Sequence, residues 1–162
     1  MTRSVSLFID GKPAQAESKR TFDRLNPVDG TVASRSPAAG VEDVRRTADA
    51  AWSAFTRWRD TTPVERRNLL LKAAEEMEKR RDLFVELMNA ETGATPFWAG
   101  FNVQLGADVL REAAGLTTQI EGQVIPSNVP GNLSLGVRQG AGVVLSMAPW
   151  NAPIILAVRA IA

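Results

Sequence analysis

Two absences bound the chemistry open to this chain. Its 162 residues include no Cys and no His, which removes the thiolate nucleophile, the commonest general base and the commonest metal ligand. No metal centre is expected, and any catalytic step would fall to carboxylates, Lys, Ser or Thr. The sharpest candidate is instead an amide. Asn151 ends the stretch Met147-Ala148-Pro149-Trp150-Asn151, between a short apolar run at 142–146 and the helix-opening Pro153. In open α/β folds ligands bind there, beyond the carboxyl end of a strand and at a helix N-terminus. Asn at a helix start is most often an N-cap, its side-chain oxygen accepting a free backbone N–H. The alternative is an amide NH₂ pointing into a cleft and donating to a developing oxyanion. Residue type and position alone leave both open. Gly140-Ala141-Gly142 carries little weight as a phosphate loop, because it precedes the strand and a dinucleotide fingerprint follows one.

The elements that must position Asn151 are readable from periodicity. Gly142-Val143-Val144-Leu145-Ser146 is continuously apolar and β-branched, as in a strand buried on both faces. Upstream, Val41, Val44, Ala48, Ala51, Trp52, Phe55 and Trp58 recur at helical spacing, and Glu42 and Asp43 sit where the helix dipole favours acids. Thr62, Pro63 and Glu65 form a capping box with proline at the first helical position, opening a helix to about Arg81. A further helix at 82–91 stops at Gly93, and Thr95-Pro96 starts another reaching about Thr117. The Trp and Phe residues of these helices are expected to be core packing.

The first forty residues read as short strands: 4–9 running into the Asp10-Gly11 turn, then 21–25 and 31–36 around Asn26-Pro27-Val28-Asp29-Gly30. Residues 120–139 hold two alternating runs, Ile120 to Val124 and Leu133 to Val137, about a Pro/Asn/Gly loop. That pattern is a two-stranded ribbon, marginal alone and in need of a partner. Helices before and after a buried strand indicate an α/β protein.

Composition sets the class. The chain is 44% apolar and 23% charged with a net charge of +1, ordinary for one soluble domain and without an electrostatic case for nucleic acid or an acidic membrane surface. Neither a signal peptide nor a transmembrane run is present in the sequence, so a cytoplasmic protein is expected. The chain stops inside the apolar, helix-like run 154–162 with no cap or breaker, which suggests truncation.

Beside these readings stands a resemblance. Pro149-Trp150-Asn151-Ala152-Pro153, after a Gly-Val-Val strand, is similar to the Pro-Trp-Asn-x-Pro motif of the aldehyde dehydrogenase superfamily. Other stretches agree in order: Leu7-Phe8-Ile9-Asp10-Gly11-Lys12, then Asn26-Pro27-Val28-Asp29-Gly30, Ala50-Ala51-Trp52-Ser53-Ala54-Phe55 with Trp58, and Glu91-Thr92-Gly93. The resemblance covers essentially the whole chain. It implies an α/β fold, the N-terminal part of a Rossmann-like nucleotide-binding domain at 1–119 and 140–162, interrupted by a protruding two-stranded oligomerisation arm at 120–139. It implies aldehyde oxidation through a cysteine thiohemiacetal, hydride transfer to NAD⁺ or NADP⁺ and thioester hydrolysis. Asn151 is then the oxyanion donor, and Ser146, Met147, Ala148, Pro149, Trp150 and Asn151 line the cofactor. The family's Cys, general-base Glu, ribose Lys and phosphate-loop glycines have no counterpart in these residues. A homodimer or homotetramer assembled through the arm is implied as well.

Within the family, the wording around 147–161 resembles the aromatic-aldehyde branch, the vanillin, salicylaldehyde and benzaldehyde dehydrogenases. Asn151, Ile155 and Arg159 are spaced i, i+4, i+8 and would share a helix face. If Asn151 faces the substrate, as the resemblance implies, Ile155 and Arg159 line the same tunnel; the alternative for Arg159 is a surface cation pairing elsewhere. Ala152, where many relatives carry Phe, leaves room for a ring, and Arg159 can stack on it or bind a ring hydroxyl or carboxylate. Trp98 resembles an aromatic tunnel wall. The rivals are an aliphatic or semialdehyde substrate, and a truncated, non-catalytic binding or assembly module.

Overall fold

The computed structural model describes residues 3–162. Short strands open the chain: β1 (Arg3–Ser4), β2 (Leu7–Ile9), β3 (Lys12–Ala14), β4 (Thr21–Leu25) and β5 (Val32–Pro37). β2 and β3 form the expected hairpin, pairing Ile9 with Lys12. Asp10 and Gly11 both take positive φ, at 52° and 72°, as a two-residue turn matched to strand twist requires. The run expected as one strand over 4–9 is two. Its first part pairs parallel with β5, Arg3 against Ser34, and the Val5 N–H continues to the Arg35 carbonyl. The chain then leaves that sheet to pair with β3, because one strand edge cannot serve both partners. β4 lies antiparallel on the other side of β5.

Among the described residues five helices follow: α1 (Val41–Trp58), α2 (Pro63–Lys79), α3 (Arg81–Thr92), α4 (Pro96–Leu116) and α5 (Pro153–Ile161). Their starts obey local chemistry. The Asp43 carboxylate accepts from the N–H groups of Gly40 (2.9 Å) and Glu17 (3.0 Å), fixing the start of α1 and tying it to the loop between β3 and β4. Thr62 Oγ1 accepts the Glu65 N–H at 3.2 Å while Glu65 Oε2 accepts the Thr62 N–H at 2.8 Å, the reciprocal capping box read from sequence. Gly93 ends α3 in the left-handed region, at φ 69°.

The core gathers around α4, which buries Ala99, Gly100, Asn102, Val103, Gly106, Ala107, Leu110 and Ala114. Ala74, Ala107, Leu110 and Val158 form its centre, flanked by Leu70, Met77 and Val109. Small residues let neighbouring helices come close. A Cβ added at Gly106 would lie 3.1 Å from Met77 Sδ and 3.3 Å from Ile154 Cγ2. This corrects the expected place of the aromatic rings: Trp52, Trp58, Phe97 and Phe101 stay 44–82% exposed. Seams lined by Ala and Gly leave no volume for rings, which ride on the flanks.

Two further expectations change. Residues 142–146 form no strand, and Val144 and Leu145 are 72% and 86% exposed. Among the described residues no strand lies beside this run to take its backbone hydrogen bonds, and an interior strand needs partners on both edges. The ribbon is present but shorter than 120–139, as β6 (Gln123–Ile125) paired antiparallel with β7 (Ser134–Gly136). Gly122 beside it has no room for a side chain, since a Cβ would sit 2.6 Å from the Gly136 carbonyl oxygen. Val124, Leu133, Leu135 and Val137 leave its apolar side chains exposed.

Candidate functional site

The segment 146–151 crosses from the unpaired apolar run to the start of α5. Ser146, Met147, Ala148 and Pro149 are exposed and irregular, and Trp150 and Asn151 form a turn. Asn151 is not the N-cap of α5. Ala152 holds that position, with φ −144° and ψ 56° and no side-chain cap bond, and its carbonyl accepts the first bond of α5 from the Leu156 N–H at 3.1 Å. The capping role expected from residue type is therefore unfilled, and the exposed Asn151 amide makes no hydrogen bond within the described residues.

The main chain of Asn151 is nevertheless held. Trp98 Nε1 donates to the Asn151 carbonyl at 3.0 Å. Trp98 is itself set in the first turn of α4. Its backbone N–H donates to the capping Thr95 Oγ1 (3.2 Å), its carbonyl accepts from Asn102 Nδ2 (3.0 Å), and its ring stacks on Phe101 at 5.4 Å between centroids. Asn102 was not singled out in the sequence, although an Asn within an apolar helix face is a readable signal. It is fully buried, and its Oδ1 has no partner.

The residues expected to share a substrate face separate. Asn151 precedes α5, so the helical spacing joining it to Ile155 and Arg159 does not apply. Ile155 is 4% exposed and Ala152 8%, both enclosed, whereas Arg159 is exposed with no ion-pair partner among the described residues. Trp98 is 39% exposed and adjoins the Asn151 turn.

Distant sequence motifs meet beside this turn. Trp150 borders a cleft of about 440 Å³ with Phe22, Leu25, Pro27, Glu91 and Thr92. Glu91 is anchored there, its Oε1 accepting from Ser34 Oγ at 2.7 Å and its carbonyl from Arg24 Nε at 3.1 Å. Gly140 and Gly142 instead face the α1 rings. Added Cβ atoms would lie 3.0 Å from Phe55 and 3.4 Å from Trp52, so these glycines let the chain cross that aromatic pair. A nucleotide cofactor fits this chain only in part. The exposed main chain of 146–150 makes no backbone hydrogen bonds among the described residues and is free to meet a ligand, but this segment follows no strand and holds no glycine with which to cradle phosphates. No three His, Cys, Asp or Glu side chains gather as a metal site among the described residues, and no helix there is long and apolar enough to cross a membrane.

Comparison with known proteins places this architecture. Residues 14–162 match the sequence model of the aldehyde dehydrogenase family. The chain is 53% identical over 158 residues to a vanillin dehydrogenase from Pseudomonas sp., covering 98% of this chain and 33% of that one. It superposes with a TM-score of 0.94 and 45% identity on a crystal structure of a salicylaldehyde dehydrogenase from Pseudomonas putida G7 complexed with salicylaldehyde, covering 98% and 33% of the two chains. An NAD-dependent benzaldehyde dehydrogenase from Corynebacterium glutamicum matches at TM-score 0.90 and 32% identity, over 95% and 34%. The chain thus spans about a third of the length of the curated relatives it matches.

Proposed function

From the premise that this chain belongs to the aldehyde dehydrogenase family, we propose that its residues work in the NAD(P)⁺-dependent oxidation of an aromatic aldehyde to the acid. The activity resides in a protein of the relatives' length, since the family's route runs through a cysteine thiohemiacetal and these 162 residues hold no Cys. One observation carries the reading: Asn151 presents a side-chain amide free of any capping duty, on a turn whose main chain is held from α4. A donor fixed in advance is what oxyanion stabilisation requires, because it costs no reorganisation when charge develops.

When bound, NAD(P)⁺ accepts the hydride leaving the aldehyde carbon. The chain's share is positional: the main chain of Ser146, Met147, Ala148, Pro149 and Trp150 would hold the cofactor, and the Asn151 amide would donate to the substrate oxygen. Relatives named for vanillin, salicylaldehyde and benzaldehyde support a ring-bearing substrate, with Trp98 beside it, Ala152 and Ile155 packed behind, and Arg159 toward ring substituents. Residues 120–139 form the assembly arm of a homo-oligomer, on the support of the exposed apolar side chains of β6 and β7. Residues 1–119 and 140–162 belong to the nucleotide-binding domain, and the work is cytoplasmic.

The test is Asn151→Ala in the relatives'-length enzyme. Loss of one oxyanion donor lowers kcat by about 10²–10³, with cofactor affinity and melting temperature close to those of the parent. Unchanged kcat overturns the assignment.

A further inference from the structure

We infer that Trp98 is a positioning residue for the oxyanion donor, acting through its indole N–H rather than through its ring surface alone. The inference rests on the oxyanion role of Asn151. A side-chain amide is aimed by the backbone that carries it, and the peptide joining Asn151 to Ala152 is planar. Two bonds hold that link. Trp98 Nε1 donates to the Asn151 carbonyl at 3.0 Å, and the next carbonyl, of Ala152, accepts the Leu156 N–H at 3.1 Å. The first comes from α4 and the second from α5, so the turn is braced between helices that pack on each other. This bracing sets the Cα–Cβ direction from which the Asn151 amide projects, while its rotamers remain to be chosen by the substrate oxygen.

Trp98 suits the task because its own freedom is spent. Its N–H is bound to Thr95 Oγ1, its carbonyl takes a bond from the fully buried Asn102, and its ring lies stacked on Phe101 with an interplanar angle of 22°. The backbone bonds hold the main chain from which the indole projects, and the Phe101 stack restrains the ring that carries the N–H. Phe in its position would keep the ring and the stack and lose the donor. Small displacements of a catalytic group carry large rate penalties, so the effect belongs in kcat.

The experiment is a double-mutant cycle in the relatives'-length enzyme, combining Trp98→Phe with Asn151→Ala and measuring kcat and KM for benzaldehyde and for hexanal. A second variant carries 3-benzothienylalanine at position 98, matching indole in shape without the N–H donor, so that a folding defect in Trp98→Phe does not decide the outcome. Expected is a loss of roughly 3- to 10-fold in kcat for Trp98→Phe, the scale of one hydrogen bond, equal for both aldehydes and with little change in KM. The benzothienylalanine enzyme repeats it, and the loss vanishes when Asn151 is already Ala, because there is no amide left to aim. An undiminished additional loss in the Asn151→Ala background overturns the inference and leaves the oxyanion role standing. So does a loss confined to KM for the ring-bearing aldehyde, which marks Trp98 as a wall only. Full kcat in Asn151→Ala alone overturns the oxyanion role, and the inference with it.

Discussion

Gly93→Ala probes the junction of α3 with the Asn26–Gly30 turn, which borders the same cleft as Trp150, and its cost can be worked from the structure. Gly93 closes α3 at φ 69°, and an added Cβ would meet Pro27 Cγ at 3.1 Å and Val28 Cγ2 at 3.3 Å. Holding an L-residue in the left-handed region costs about 1–2 kcal/mol. Stiffening the unfolded chain returns about 0.4–1 kcal/mol. Both contacts are shorter than the ~3.5–4.0 Å optimum for carbon pairs, and Pro27 sits in a turn that cannot swing away as a long side chain would, which adds on the order of 1 kcal/mol. The sum is about 2 kcal/mol. Gly30 supplies the control, since it has φ 72° and nothing within 4 Å of an added Cβ, so Gly30→Ala carries the strain without the crowding, about 1 kcal/mol or less. Urea melts of both variants against the parent measure the difference directly. At roughly 2–4 °C per kcal/mol for a chain of this size, Gly93→Ala lowers Tm by about 4–8 °C and Gly30→Ala by less than half of that. Equal costs would refute the packing of the α3 terminus on the Asn26–Gly30 turn.

Three further outcomes follow from the same physics. The Gly40 N–H, with the Glu17 N–H and Arg46 behind it, holds the Asp43 carboxyl below the ordinary carboxylate range, so its stabilisation is complete above that range and fades as pH falls through the lowered value. The difference in Tm between the parent and Asp43→Asn should therefore narrow below about pH 4, and a constant gap from pH 7 to 3 contradicts it. Leu145 and Val144 are exposed, and an apolar run with free backbone groups invites association. Leu145→Lys should raise the monomer fraction of the 162-residue chain in sedimentation velocity, and an already monodisperse parent argues against this. Arg159→Ala in the relatives'-length enzyme should reduce kcat/KM for hydroxylated or carboxylated benzaldehydes several-fold more than for benzaldehyde, as expected when a guanidinium meets ring substituents. Equal losses would remove it from the substrate site.

The amino-acid order by itself determined what neighbouring residues control. The Thr62–Glu65 capping box, the Asp10-Gly11 turn, the Gly93 stop and the span of α1 all depend on backbone groups satisfied within a few residues, so they emerge as read. Motif order likewise sufficed for the family: the resemblance carried by Asn26-Pro27, Glu91-Thr92-Gly93 and Pro149-Trp150-Asn151 named the one whose model matches residues 14–162. Tertiary structure alone decided which partners distant groups would find. It made Ala152 rather than Asn151 the cap of α5, enclosed Ile155 while leaving Arg159 exposed, and left 142–146 unpaired for want of neighbouring strands. It turned Trp98 into a hydrogen-bond donor for a residue 53 positions away and buried Asn102 beneath it. Periodicity records how apolar a face is, whereas burial and hydrogen bonding depend on what else the chain brings against that face.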